Sequence, residues 1–148
     1  KNGCDAVEFL ISANAGETVK PLAKIASGGE LSRVMLAIKS VLAKADEVET
    51  LIFDEIDTGI SGRTAQKVSE KMAVISRNHQ LLCITHLPQI AALGETHYKV
   101  RKEDTTSSTI STMQKLNTEE RIKEIAQMLS GSDVSEAAIS NAKELLRL

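Results

Sequence analysis

Three short stretches stand in order along the chain: Ser27-Gly28-Gly29-Glu30-Leu31-Ser32, then Leu51-Ile52-Phe53-Asp54-Glu55, then Ile84-Thr85-His86. Each carries side chains suited to phosphate, metal or water. Asp54 and Glu55 follow an apolar run directly, which sets both carboxylates at a strand's carboxyl end, where ligands bind in parallel α/β sheets. Asp54 is there a candidate Mg²⁺ ligand, because Mg²⁺ takes one or two carboxylates and keeps several waters. Glu55 is the candidate general base that orients or deprotonates an attacking water. An acidic pair also ends strands at ordinary surfaces, so the pair alone leaves both readings open. His86 closes a second apolar run, placed to touch a terminal phosphate and steady the water. A lone histidine in such a place is otherwise a surface residue. His79 and His97 have no such placement and take no role.

Ser27 with Glu30 has capping-box spacing, and helix capping alone accounts for both residues. The glycines fit that account less well. Each costs about 1 kcal/mol against Ala inside a helix, unless backbone must approach something closely. A helix start with free N–H groups, a hydroxyl and no intervening side chains is an anion site. Ser27, Gly28, Gly29 and Glu30 are therefore candidates for binding a nucleotide's phosphates. Yet the chain holds no G-x-x-x-x-G-K-[ST] loop, the element that would cradle those phosphates.

The elements that must position these residues alternate between the two periods. Ala6–Ala13 reads as a strand followed by a turn at Asn14–Gly16, and Lys20-Pro21-Leu22 reads as extended. Leu31, Val34, Met35, Ile38, Val41 and Leu42 recur at helical spacing, which predicts a helix from about Gly29 to Ala45 with these residues on its apolar face. Thr50–Phe53 and Leu81–Ile84 are short continuous apolar runs, predicted as buried parallel strands. Between them Ser61–Arg77 carries Ala65, Val68, Met72 and Ile75 on one helical face. A short helical piece is expected around Pro88–Leu93, and Tyr98–Lys102 is expected to pair with Ser108–Met113 across Glu103–Ser107. Asn117 with Glu120 makes a capping box before Ile122, Ile125, Ala126 and Leu129, and Gly131 suits its stop. Asp133 with Glu136 repeats the device before Ala138, Ala142, Leu145 and Leu146. Strands alternating with helices imply a parallel sheet covered on both faces.

At 148 residues the chain is one domain's worth, with no internal repeat or linker. Hydrophobic residues at 42% and charged residues at 26% suffice for a packed core. Aromatics at 2%, with no Trp, leave that core to aliphatic side chains and argue against base-stacking platforms. A net charge of −2 is no electrostatic footprint for DNA. Cys4 and Cys83 are too few for a zinc site or a disulfide framework, and Cys83 reads as a small buried hydrophobe. No stretch approaches the ~18 apolar residues of a membrane span, and no signal peptide is visible. The expectation is a soluble, intracellular chain. Its opening on Lys1 rather than Met suggests a segment of something longer.

In this order and spacing the chain resembles the ATP-binding cassette ATPases. Ser27–Glu30 matches the signature motif, Leu51–Asp54 with Glu55 the Walker B strand, Asp57–Ser61 the D-loop and His86 the switch histidine. Transporter subunits usually follow Asp-Glu with Pro-Thr and close the D-loop with Leu-Asp. Here the string is Asp54-Glu55-Ile56-Asp57-Thr58-Gly59-Ile60-Ser61-Gly62, which resembles the chromosome-maintenance, SMC-like branch. The strings Lys24–Arg33 and Thr85–Ala91 fit as well. The resemblance covers roughly the whole chain and is strongest over Pro21–Val100.

The resemblance implies that residues 1–148 are the carboxyl-terminal lobe of an ABC-type P-loop NTPase head, an α/β unit with a mostly parallel sheet flanked by helices. In this family a coiled coil separates the two halves of a head, and the amino-terminal half supplies the phosphate loop. Two heads sandwich ATP. Ser27, Gly28, Gly29 and Glu30 would then act on the nucleotide of the opposite head. Asp54 would hold Mg²⁺, Glu55 and His86 would act on their own head's nucleotide, and Asp57 would help couple the two sites. ATP and Mg²⁺ are implied as cofactors only once the amino-terminal half is present, so the chain alone is expected to be inactive. The implied partners are that half, a second head and, through the whole protein, DNA, with no membrane. Double-strand-break repair and recombination in the cytoplasm, at the nucleoid, is the implied setting. The alternatives are a non-catalytic dimerisation module and a transporter's nucleotide-binding subunit, the latter disfavoured by Ile56-Asp57.

Overall fold

The computed structural model describes residues 3–12, 16–24, 27–42, 47–104 and 108–148. Its elements are β1 (Leu10–Ile11), β2 (Lys20–Pro21), α1 (Gly28–Leu42), β3 (Thr50–Phe53), α2 (Gly62–Ile75), β4 (Gln80–Cys83), α3 (Pro88–Ala91), β5 (Tyr98–Asp104), β6 (Thr109–Lys115), α4 (Thr118–Ser130) and α5 (Glu136–Leu145). The expected turn at Asn14–Gly16, the last residues of the helix expected to reach Ala45 and the centre of the Glu103–Ser107 connection lie wholly or partly outside the described residues.

The unit that positions the site is β3–α2–β4. The two strands pair in parallel, Leu51 opposite Leu81 and Phe53 opposite Cys83, as a strand–helix–strand crossover requires. Leu51 and Phe53 turn one face of this pair toward Val68, Met72 and Ile75 of α2, Leu36 of α1 and Ile90 of α3, the main hydrophobic cluster. The expected apolar stripe of α2 is thus the observed one. The strands themselves depart from expectation. Ile52, Leu82 and Ile84 are exposed at 67%, 47% and 62%, so among the described residues the pair is covered on one face only. Continuous apolar runs signal two buried faces, and here the second has no cover.

Among the described residues, parallel pairing is confined to β3–β4. The other two pairs, β1–β2 and β5–β6, are antiparallel and make separate two-stranded sheets. The strand expected across Ala6–Ala13 reduces to Leu10–Ile11. A second cluster forms where α4 packs on α5 through Ile125, Ala126, Ala138 and Ala142. The capping box of α4 is present in full: Asn117 Oδ1 accepts from the Glu120 amide at 3.0 Å while Glu120 accepts from the Asn117 amide at 2.8 Å. Gly131 ends that helix at φ 79°. For α5 the cap is Ser135, accepting from the Ala138 amide at 3.2 Å, rather than the expected Asp133. The Ser-x-x frame starts two residues later than the Asp-x-x-Glu pattern suggested.

Helix α1 forms as expected but turns a side other than its apolar stripe toward the rest of the lobe. Of the predicted stripe, Leu31, Met35, Ile38, Val41 and Leu42 are exposed, while Leu36 and Gly29 are buried. The side of the helix that touches the rest of the lobe runs through Gly29, Arg33 and Leu36, spaced i, i+4 and i+7. It is small and polar at Gly29 and Arg33, which meet the backbone of the loop after β3, and apolar at Leu36, which enters the main cluster.

Candidate active site

Asp54, Glu55, Asp57, Thr58, Ile84, Thr85 and His86 line one open cleft of about 220 Å³. It sits just beyond the carboxyl ends of β3 and β4, the position a parallel α/β arrangement reserves for ligands. The structure therefore brings Asp54, Glu55, Asp57 and His86 together from two segments about thirty residues apart in sequence. His79 stands at the opposite, amino end of β4, buried with Nδ1 2.7 Å from the Val48 carbonyl.

The loop after β3 alternates between solvent and interior. Asp54 and Glu55 are exposed, Ile56 is fully buried in the main cluster and Asp57 is 2% exposed. Ile56 anchors the turn, and the chain reverses through Thr58 N–H to Glu55 C=O at 3.0 Å. Glu55 pays for this geometry by adopting φ 58°, a left-handed conformation that a residue with a side chain rarely takes and that is common at functional sites.

Helix α1 braces the same loop. Ser32 Oγ donates to the Asp54 carbonyl at 2.9 Å. Arg33 Nη1 donates to the Ile56 carbonyl at 3.2 Å and the Thr58 carbonyl at 2.8 Å. The glycines permit this approach. A Cβ on Gly29 would lie 2.8 Å from the Glu55 carbonyl oxygen and 2.9 Å from the Thr58 carbonyl oxygen, and a Cβ on Gly28 would collide with the Glu55 carboxylate. The glycine pair thus has a reason inside its own chain, the close packing of a helix start against the catalytic-type loop. Ser27 caps the helix, its Oγ accepting from the Glu30 amide at 3.4 Å, so the local capping account of Ser27 stands whatever else it binds.

Asp57 faces inward. Its Oδ2 accepts from Thr85 Oγ1 at 2.5 Å and from the His86 amide at 2.8 Å. The same oxygen lies 3.0 Å from His86 Nδ1. Burial pushes the Asp57 carboxyl up, but the Thr85 hydroxyl, the His86 N–H and the His86 ring together hold it below its ordinary value of 3.8. It is ionised near neutral pH. Cys83, half-buried beneath the cleft, is raised to about 12 by burial and by Asp57 and Asp54, which leaves it an inert thiol as expected.

Ser32, Arg33, Thr58 and Thr85 are site residues that motif reading passed over. The signal for the first two was present: each lies one helical turn beyond Gly28 or Gly29, on the same face. Thr85 carried no signal beyond its place beside His86.

The donor set suits Mg²⁺ in one respect. Asp54 offers an exposed carboxylate at the mouth of the cleft, and Mg²⁺ takes only one or two carboxylates from a protein. Among the described residues no group of three or more metal-ligating side chains converges, so a cation here depends on phosphate oxygens and water for its remaining ligands. Asp54, Glu55 and Asp57 also make the cleft acidic. A polyphosphate entering it alone would be repelled, and cationic or N–H donors are needed from outside these residues.

No family model matches the chain. In the structural comparison it is similar to a solved structure from work on ATP-driven dimerization and DNA-stimulated activation of SMC ATPases, with TM-score 0.55 and 23% identity over 80% of this chain and 71% of that one. The fold is that of the carboxyl-terminal lobe of an SMC-type ATPase. Among curated proteins it is similar to DNA repair protein RecN of Treponema pallidum, at 54% identity over 98% of this chain and 25% of that protein. The RecN proteins of Halalkalibacterium halodurans and Bacillus subtilis are each 49% identical, over 100% and 99% of this chain and 26% of their own length. The chain belongs to the RecN family, matching the carboxyl-terminal part of its members. It spans about a quarter of the length of these relatives.

Proposed function

We propose that this chain is the carboxyl-terminal half of a RecN-type ATPase head, which hydrolyses ATP when two heads close over the nucleotide during double-strand-break repair and recombination. The observation that carries this reading is the convergence of Asp54, Glu55 and His86 on one cleft at the carboxyl ends of adjacent parallel strands. Asp54 would hold Mg²⁺ from the cleft's mouth, and the ion would offset negative charge on the nucleotide's phosphates. Glu55, held outward by its left-handed backbone, orients the attacking water and takes its proton. His86 donates to a terminal phosphate when its outward nitrogen is protonated, or accepts from the attacking water when it is not. Ser27, Gly28, Gly29 and Glu30 bind the nucleotide of the second head with the start of α1. Phosphoryl transfer depends mainly on positioning and charge stabilisation, so dividing the donors between heads makes turnover conditional on pairing.

The uncovered faces support a missing half. Ile52, Leu82 and Ile84 on the sheet and the apolar stripe of α1 are the surfaces an amino-terminal lobe would bury, and the acidic cleft is where its phosphate loop would supply donors. DNA contact, in an acidic chain, falls to other parts of the protein. No helix among the described residues is long and apolar enough to cross a membrane; the proposed setting is the cytoplasm, at the nucleoid.

Glu55→Gln in the complete protein tests the reading. ATP binding is expected to persist while turnover falls by roughly 10²–10⁴-fold, the usual worth of a positioned base, leaving ATP-bound dimers that persist in gel filtration. Normal turnover would remove Glu55 from the base role. In the same assay the 148-residue chain alone is expected to show no ATP hydrolysis; measurable turnover would refute the divided site.

A further inference from the structure

We propose that Asp57 is the positioning residue of His86: acting within its own chain, it holds the imidazole with the proton on Nδ1, so that Nε2 is the nitrogen presented to the reaction. This deepens the reading of His86 given above and rests on it.

Asp57 is 2% exposed, whereas the His86 side chain is 71% exposed. A carboxylate that far from water is tolerated only with hydrogen bonds to its charge, and two hydrogen bonds and one ion-pair contact converge on one of its two oxygens, Oδ2. They involve the Thr85 hydroxyl at 2.5 Å, the His86 amide at 2.8 Å and His86 Nδ1 at 3.0 Å. All three come from the segment after β4.

Two consequences follow for His86. Its backbone is pinned, because Asp57 takes its amide while Thr85 Oγ1, bonded to Asp57, also accepts the Leu87 amide at 3.0 Å. Its ring is pinned as well. An ionised carboxylate can only accept, so the ring nitrogen facing Oδ2 carries a proton. In water a neutral imidazole mostly carries that proton on the other nitrogen; Asp57 reverses the preference. A mobile, exposed ring is thereby given one tautomer and one orientation, the service a buried carboxylate performs for a histidine in acid–base sites generally.

The test compares Asp57→Asn, Thr85→Val and wild type in the complete protein, labelled with ¹⁵N-histidine. Solid-state ¹⁵N spectra report the tautomer, and the His86 signal is identified by its loss in His86→Gln. Wild type is expected to show the Nδ1–H form. In Asp57→Asn the amide can donate to Nδ1, so the ring should switch to Nε2–H, and kcat should fall by about 10²–10⁴-fold with KM for ATP held within about threefold, as for removal of a tautomer-fixing carboxylate. Thr85→Val should lower the melting temperature and leave the tautomer unchanged, separating a structural loss from an orienting one. An Nε2–H signal in wild type overturns the proposal, and so does Asp57→Asn with undiminished kcat. Full turnover by His86→Ala would instead refute the part assigned to His86 in hydrolysis, and the ¹⁵N spectra would still decide the pairing.

Discussion

Helices α1 and α4 are similar in length and both amphipathic, yet they stand in opposite relations to the rest of the lobe. Helix α4 is complete within the chain. Its first turn is closed by the Asn117–Glu120 box, its last by Gly131, and its apolar side by α5 through Ile125, Ala126, Ala138 and Ala142. Arg121 further ties it to the loop after α3, donating to the Glu95 carbonyl at 3.2 Å and to the Ala92 and Gly94 carbonyls. Lys99 of β5 pairs with its Glu124. Helix α1 instead turns Gly29 and Arg33 to the loop of Asp54–Thr58 and leaves Leu31, Met35, Ile38 and Leu42 to solvent. The difference separates a part whose contacts are satisfied locally from a part built to meet something else. Site chemistry sits beside the second kind.

Gly29→Ala should break the contrast most strongly. The new Cβ meets the Glu55 and Thr58 carbonyl oxygens and the Thr58 Cβ within 3 Å, and none of the three is the far end of a flexible side chain. Overpacking of this sort costs about 1–3 kcal/mol, of which the better helix propensity of alanine returns up to about 1 kcal/mol. The measurable outcome is a lower urea midpoint together with loss of ATP turnover in the complete protein. A variant as stable and active as wild type would show that α1 does not brace the loop.

Asn117→Ala acts on the self-contained helix. Losing the cap should cost about 1 kcal/mol, the usual value for an N-cap, and ATP turnover by folded protein should be unchanged. A turnover defect at full folding would mean that α4 is coupled to the cleft after all.

Met35→Gln sharpens the comparison from the other side. At 40% exposure in this lobe, the substitution should shift the stability of the chain by less than about 0.5 kcal/mol, as exposed positions do. A loss of several times that value in the complete protein would locate the surface that covers α1; no difference between the two settings would leave the stripe without a partner.

Much of the site was legible because its residues end elements. Asp54, Glu55 and His86 follow short apolar runs, and a strand's end is fixed locally by where the apolar run stops. The box at Asn117 and Glu120 was legible for the same reason, since both of its bonds lie within four residues. What escaped notice depended on contacts across the fold. Periodicity put the apolar residues of α1 on one face, but it identifies which residues share a face without identifying the face's neighbour. The cap of α5 was misplaced because Asp133 and Ser135 both suit the role, and helix geometry chose between them.

The order of the motifs, the apolar runs that precede Asp54, Glu55 and His86, and the start and stop of α4 were determined by the sequence alone. These rest on local propensity and spacing, which act over a few residues. Only the tertiary structure decided that Gly28 and Gly29 make room for Glu55 and Thr58, that Asp57 turns inward beneath His86, and that the apolar stripe of α1 stays uncovered. Each of those is a meeting of segments from twenty to thirty residues apart, and such meetings are set by packing, which no local pattern encodes.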